Sequence, residues 1–190
     1  PKDIKFDLIT SFAIFYDVED PNQFCADIKS ILKRDGIWVC ELSYLPLMLK
    51  NLTFDQICHE HVTYYSLKVF EKIINQNGLK LLDVKLNEIN GGSIEIICGH
   101  DDSKKNVSYS IIEDLKNDEN KITKKSFSNF NKRIFKIKKD LRNFLINKKN
   151  IFAYGASTKG NVVLNLCKLS SKELKFVCDA NRKKFGSFTP

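Results

Sequence analysis

At 190 residues, 43% hydrophobic and 28% charged, the chain can bury a core and is not a disordered polymer. Its formal charge of +8 is nearly all lysine, and only Arg34, Arg133, Arg142 and Arg182 could fork onto phosphate or guanine. That argues against nucleic acid and leaves a small polyanionic substrate as the partner such a field favours.

No apolar run reaches membrane-spanning length and no signal peptide is seen, so neither a membrane nor secretion is expected. Six cysteines without a CxxC pair read as buried free thiols of a reducing cytoplasm. The chain opens at Pro1 without Met and stops at Pro190 in a turn-like Gly-Ser-Phe-Thr-Pro, which reads as a fragment.

Phe6 to Ser11 predicts a short buried strand. Asp20 caps a helix that starts at Pro21, carries Phe24, Ile28, Ile31 and Leu32 as its apolar stripe, and closes at Asp35-Gly36. Ile37 to Glu41 is a second apolar strand. Strand, helix and strand of this kind form the βαβ unit of a covered parallel sheet, whose ligands lie beyond the carboxyl ends of its strands. Ser11 and Glu41-Leu42-Ser43-Tyr44 occupy those ends.

A Pro46-containing segment leads next to His59-Glu60-His61-Val62-Thr63-Tyr64-Tyr65-Ser66. Neither a helical period nor strand alternation explains two imidazoles, a carboxylate and two phenols in one stretch as core packing. Such a cluster suits proton transfer, since His switches protonation near neutral pH and Glu can orient it. A polar loop without chemistry is the plain alternative. His59 and His61 could both ligate zinc, but His100 is the one other histidine and no cysteine pair stands at ligand spacing, so no metal is expected here.

Ser66 caps a second helix with Val69, Phe70, Ile73 and Ile74 as its stripe, ended by Asn77-Gly78. Strands from Leu79 to Leu86 and Ser93 to Cys98 meet across Asn90-Gly91-Gly92, a hairpin turn or a close approach to a ligand. From Ser103 to Asn150 the chain turns into Lys-rich helix, in which Phe127, Phe130, Ile134, Ile137, Leu141 and Phe144 mark one face. Core packing or a seam between domains is the natural use of that face, and a membrane-surface helix the lesser one.

Ile151 to Tyr154, then Gly155-Ala156-Ser157-Thr158-Lys159-Gly160-Asn161 and a helix, form the strand–turn–helix layout that presents backbone N–H groups to an anion. The glycine spacing is neither GxGxxG nor GxxxxGK[ST]. Asp179 ends the next strand about two dozen residues after Gly155, where a nucleotide-binding sheet places its ribose-reading acid.

Ile9-Thr10-Ser11, Asp20-Pro21, Asp35-Gly36-Ile37-Trp38-Val39, Glu41-Leu42-Ser43-Tyr44, Phe54-Asp55, Cys58-His59-Glu60-His61 with Tyr64-Tyr65-Ser66, and Asn90-Gly91-Gly92-Ser93 occur in that order. The series resembles the class I S-adenosylmethionine-dependent C-methyltransferases that act on nucleotide-linked deoxysugars. Gly155-Ala156 with Lys159-Gly160-Asn161, and Asp179-Ala180-Asn181 with Lys184-Phe185-Gly186 and Thr189-Pro190, resemble the C-terminal domain of that family.

The resemblance implies an α/β fold. It comprises the C-terminal half of a Rossmann-like methyltransferase sheet (1–102), a helical connector (103–150) and the start of a second Rossmann-like domain (151–190). A zinc-binding N-terminal domain and the glycine-rich cofactor loop would lie upstream, so this chain alone should not hold S-adenosylmethionine properly. The implied substrate is a thymidine-diphosphate 4-keto sugar. His61 is the implied general base, with Glu60, Tyr64 and Tyr65 in the catalytic pocket. Thr10, Ser11 and Phe12 would face the cofactor, and His59, Ser93, Gly155, Ala156, Lys159, Gly160, Asn161 and Asp179 the substrate. Many members carry Tyr where Cys58 stands and His in the Phe15-Tyr16 region, with Tyr16 its replacement here. Methyl transfer to oxygen or nitrogen of another small molecule remains open, as does a nucleotide-binding dehydrogenase or binding module.

Overall fold

The computed structural model describes residues 4–189; Pro1 and Pro190, the ends read as cut, lie outside the described residues. The chain divides into two compact units, one running to Asn51 and resuming at Glu60–Ser126, the other comprising Leu52–His59 and the chain from Phe127 onward.

In the first unit, β1 (Phe6–Phe12), α1 (Pro21–Ile31) and β2 (Leu32–Ser43) form the expected parallel βαβ unit. Asp20 caps α1 by accepting from the Asn22 and Gln23 N–H groups at 3.0 Å each, with Pro21 at the first helical position. The helix stops at Ile31, earlier than Asp35-Gly36. From Leu32 the chain is already extended, and its register with β1 jumps from Phe6↔Leu32 to Leu8↔Ile37. Gly36 lies in this bulge because a Cβ there would stand 2.9 Å from the Phe6 carbonyl oxygen and 3.0 Å from that of Lys33.

After β2 come α2 (Leu45–Asn51), α3 (Leu67–Gln76), β3 (Leu79–Asn87), β4 (Ser93–His100) and α4 (Tyr109–Glu119). The sheet order is β1-β2-β4-β3, with β4 antiparallel to both neighbours. The Asn90-Gly91-Gly92 link is therefore a hairpin turn. Gly92, at φ +134, also lets α2 approach, since a Cβ would meet the Leu47 Cβ at 2.6 Å. Asn51 Nδ2 donates to the Gly91 carbonyl at 2.7 Å in the same place.

The core lies on one face of the sheet. Trp38, Cys40 and Leu42 of β2, with Tyr44 just after it, alternate toward one face and meet Phe70 and Ile74 of α3, Cys25 and Ile28 of α1, and Phe15. Phe15 is the hub of an aromatic group, with ring centroids 5.7 Å from Phe24, 6.0 Å from Trp38, 5.1 Å from Tyr65 and 4.9 Å from Phe70. Val69 of the expected α3 stripe is exposed instead, and Leu67 takes its place in the core. β1 is not the buried strand expected: Phe6, Leu8 and Phe12 are exposed, on the face of the strand opposite half-buried Ile9 and buried Ser11.

Residues 103–150 hold α4 and the longer α5 (Lys124–Leu145), whose first three residues belong to the first unit. Of its apolar stripe Phe130 and Ile134 are buried, whereas Phe127, Ile137 and Phe144 remain exposed. The second unit adds β5 (Phe152–Tyr154), α6 (Thr158–Cys167) and β6 (Phe176–Cys178), a parallel βαβ unit in which α6 packs against the turn Phe54–Gln56. Arg142 Nη1 donates to the Cys167 and Lys168 carbonyls at 2.9 and 2.8 Å, closing the last turn of α6 where Lys168 is left-handed.

Candidate active site

Parallel β1 and β2 end side by side, Ser11 opposite Cys40 and Phe12 opposite Glu41. Immediately beyond, Ala13 adopts φ +54 while its N–H donates to the Glu41 carbonyl at 3.0 Å. A left-handed alanine costs about 1 kcal/mol; here it turns the chain from β1 into the short 3-10 turn Phe15–Asp17. Phe15 anchors that turn in the core, which aims Tyr16 and Asp17 at the loop carrying His61. The Tyr16 carbonyl accepts from the Val62 and Thr63 N–H groups at 2.9 and 3.2 Å.

Against this anchor the His61 ring lies 4.4 Å from the Tyr16 ring and 6.2 Å from that of Tyr64. Burial pushes the Asp17 carboxyl above its ordinary pKa, the His61 imidazole draws it back and the Glu60 carboxylate adds to the rise. Half-buried His61 thus has the Tyr16 and Tyr64 rings and the Asp17 carboxyl near it and Glu60 beside it in sequence, the residue types that proton transfer uses. Asp17 escaped the sequence reading because it stands far along the chain from His61; its position directly after Tyr16 was the one available signal.

The remaining expected residues are placed less uniformly. Tyr65 is 2% exposed, its ring against Phe15 and its hydroxyl bonded to the Thr63 side chain, so it belongs to the core rather than to a pocket. Ser11 accepts from Trp38 Nε1 at 2.9 Å, and buried Ser93 donates to the Ile89 carbonyl at 2.9 Å. Thr10 and Phe12 are exposed on the other side of β1. His59 is exposed and falls in the segment grouped with the second unit, Glu60 and His61 in the first. A cleft of about 360 Å³ opens between Leu45, Ser66, Lys68, Glu119, Asn120 and Ile122, and none of Tyr16, Asp17, Glu60, His61 and Tyr64 lines it.

In the second unit the turn after β5 has the expected form. Gly155 takes φ +98, its N–H donates to the Cys178 carbonyl at 2.7 Å, and Ser157 caps α6 by accepting from Gly160 N–H at 3.0 Å. Lys159 and Asn161 lie in the first turn of α6. Asn161 Oδ1 is buried and has no hydrogen-bond partner.

Asp179 is committed within the turn itself. Oδ2 accepts from the Ala156 N–H at 2.8 Å and pairs with Lys184 Nζ at 3.0 Å, while Lys184 Nζ also donates to the Ala156 carbonyl at 2.7 Å. Hydrogen bonds from the Asn181 N–H, then Lys184, hold its carboxyl below the ordinary value. Lys184, quoted in the motif but given no role, is what the sequence reading missed here.

Among the described residues no group of three or more His, Cys, Asp and Glu side chains could hold a metal ion, and no helix is long and apolar enough to cross a membrane.

C-methyltransferase NovU of Streptomyces niveus is 29% identical over 182 residues, which are 93% of this chain; the chain spans 43% of the length of that relative. Among solved structures, magnesium protoporphyrin IX methyltransferase (ChlM) from Synechocystis PCC 6803 with bound SAH matches at TM-score 0.40 and 13% identity, over 50% of this chain and 45% of that one. The M1.HpyAVI-SAM complex matches at TM-score 0.34 and 11% identity, over 96% and 86%. At such TM-scores neither likeness bears on function. A methyltransferase domain model matches residues 1–84, and the model of the C-methyltransferase C-terminal domain matches residues 88–190. With that domain filling just over half of its length, directly behind a methyltransferase domain, the chain belongs to the C-methyltransferase family.

Proposed function

We propose that this chain forms the acceptor half of an S-adenosylmethionine-dependent enzyme that methylates a carbon next to the ketone of a nucleotide-linked sugar, with His61 as general base. One observation carries the reading: His61 is set against Tyr16, with Asp17, Glu60 and Tyr64 around it, just beyond the carboxyl ends of parallel β1 and β2. A carbon acid has no electron pair to attack with until a base removes its proton, whereas an oxygen or nitrogen nucleophile already carries one.

The proton bonded to carbon passes to an imidazole nitrogen of His61, leaving the electron pair as an enolate whose negative charge gathers on the ketone oxygen. The carboxylates of Glu60 and Asp17 stabilise the imidazolium so formed. Tyr64, its ring 6.2 Å from that of His61, is the phenol that would donate to the enolate oxygen. When bound, S-adenosylmethionine supplies the electrophilic methyl group. The exposed Thr10 and Phe12 at the end of β1, beside the turned Ala13, fit one wall of its site. The diphosphate would be held by Lys159 and the amides of the first turn of α6, with Gly155 and Ala156 shaping the turn. Six free cysteines accord with work in a reducing cytoplasm.

The test is solvent deuterium exchange at the acidic carbon in the full-length enzyme, which isolates proton removal from methyl transfer. His61→Asn is expected to slow that exchange about 10²- to 10⁴-fold with both ligands still bound. Exchange at the parental rate would place the base elsewhere, His59 being the next imidazole to try.

A further inference from the structure

Glu119 closes the last turn of α4 with a side chain that the reaction does not require, yet it is 8% exposed and fully engaged. Its Oε1 accepts from the Tyr44 hydroxyl at 2.7 Å and the Leu67 N–H at 2.5 Å, and its Oε2 accepts from the Lys68 N–H at 3.1 Å. Leu67 and Lys68 open α3, where amides have no partner inside the helix and the positive end of the helix dipole favours an anion. Ser66 covers the next donor, the Val69 N–H, at 3.3 Å. Burial, followed by the hydrogen bond to Glu119, raises the Tyr44 phenol above its ordinary pKa and keeps it a donor.

Tyr44 directly follows β2, and Leu67 directly follows the Tyr64-Tyr65-Ser66 stretch. The same two chain points meet again through the parallel bridge Tyr44↔Tyr65 and the Leu45 N–H to Tyr65 carbonyl bond of 2.9 Å. Glu60, His61 and Tyr64 lie in the stretch that leaves and returns at this closure, and the Tyr16 carbonyl holds the same stretch at Val62 and Thr63. Glu119 ties the closure from outside, by three bonds from a helix distant in sequence. An apolar side chain in its place would bury a hydroxyl and two N–H groups without acceptors.

We infer that Glu119 is a positioning residue for His61: it fixes both ends of the loop, so that the imidazole arrives against Tyr16 without Glu119 touching any reacting atom. The inference rests on His61 being the base. A misplacement of about 1 Å at a reacting group can cost about 10²-fold in rate, so a loosened closure should show in proton removal rather than in binding.

The full-length enzyme would be prepared as Glu119→Ala, Glu119→Gln and Tyr44→Phe, with His61→Asn alongside. Deuterium exchange at the acidic carbon, the KM for the nucleotide 4-keto sugar and the Kd for S-adenosylmethionine are measured per folded molecule. Glu119→Ala should exchange about 10- to 100-fold more slowly with KM and Kd nearly unchanged. Glu119→Gln, which keeps an oxygen for Tyr44 and Leu67, should recover most of the loss, and Tyr44→Phe should fall between. Parental exchange in Glu119→Ala, or a loss shared by exchange, KM and Kd alike, overturns the inference. Should Glu119→Ala not fold, parental exchange in both Glu119→Gln and Tyr44→Phe overturns it equally. A slow His61→Asn beside fully active Glu119 variants removes this inference alone; a fast His61→Asn removes the base assignment and the inference with it.

Discussion

The rings of Tyr16 and His61 stand 4.4 Å apart at 50° to one another, and the Tyr16 carbonyl also accepts from the two N–H groups that follow His61. Main chain and side chain of one tyrosine thus hold the candidate base by two independent contacts. The first keeps the loop in place, and the second sets the tilt of the imidazole.

Asp17, next to that tyrosine, should trade stability against activity. Burial raises its carboxyl pKa above the ordinary 3.8, so the fold favours its protonated form. Whatever stability this gives is present below the unfolded value and is lost as the pH rises through the folded one. At neutral pH the charge therefore opposes folding slightly. Asp17→Asn is expected to raise Tm at pH 7 and to leave it unchanged below pH 3.8, while proton exchange slows about tenfold. The side chain is exposed, so the stability gain is on the order of a few tenths of a kcal/mol. Calorimetry at the two pH values, beside the exchange assay, reads both sides.

Lys159 tests the second unit. In the full-length enzyme Lys159→Ala should raise the KM for the nucleotide sugar about tenfold, the loss of one charge-assisted phosphate contact, and leave the affinity for S-adenosylmethionine alone. Isothermal titration with each ligand separates the two; a nucleotide sugar that binds Lys159→Ala as tightly as the parent refutes the phosphate assignment.

Asp179 predicts an acid-sensitive turn. Its carboxyl is held below 3.8 by the Asn181 N–H, Lys184 and the Ala156 N–H, so its support of the Gly155–Ala156 turn is present above that value and disappears as the pH falls through the lower, folded one. The Ala156 amide resonance should titrate below pH 3.8 in the parent and stay flat in Asp179→Asn. A flat profile in the parent contradicts the bond.

The parts of this chain that could be read in advance are those whose bonds close locally. Asp20 caps the amides two and three residues on, and Ser66 caps the amide of Val69. The parallel βαβ unit follows from the apolar runs around it. Gly36 misled because it looks like the stop of a helix, whereas its role is to clear the Phe6 carbonyl, 30 positions away in sequence. The exposure of Phe6, Leu8 and Phe12 depends on what covers their face of β1, which no pattern inside the strand records.

The candidate site shows the same division. His61, Glu60 and Tyr64 announce themselves by density alone. Tyr65 sits in the same cluster, yet Phe15 claims its ring for the core. Asp17 and Glu119 were invisible for the opposite reason, each being one acid among many until the fold sets it beside its partner. Asp179 stands out by its position at the end of a strand, but its pairing with Lys184 is recorded by no local pattern.

The place of β4, between β2 and β3, has a consequence during synthesis on the ribosome. β1 and β2 can pair as soon as they emerge, but the seam that covers the inner edge of β2 waits for Ser93–His100. β3 and β4 meet across a short turn and can close quickly as a hairpin, so they are poised to dock onto β2 as one piece. Until then Trp38, Cys40 and Leu42 flank an unpaired edge, and a chain stalled before residue 93 would offer that edge to any extended neighbour. The order of strands in the finished sheet thus sets the interval in which the nascent chain is most open to aggregation.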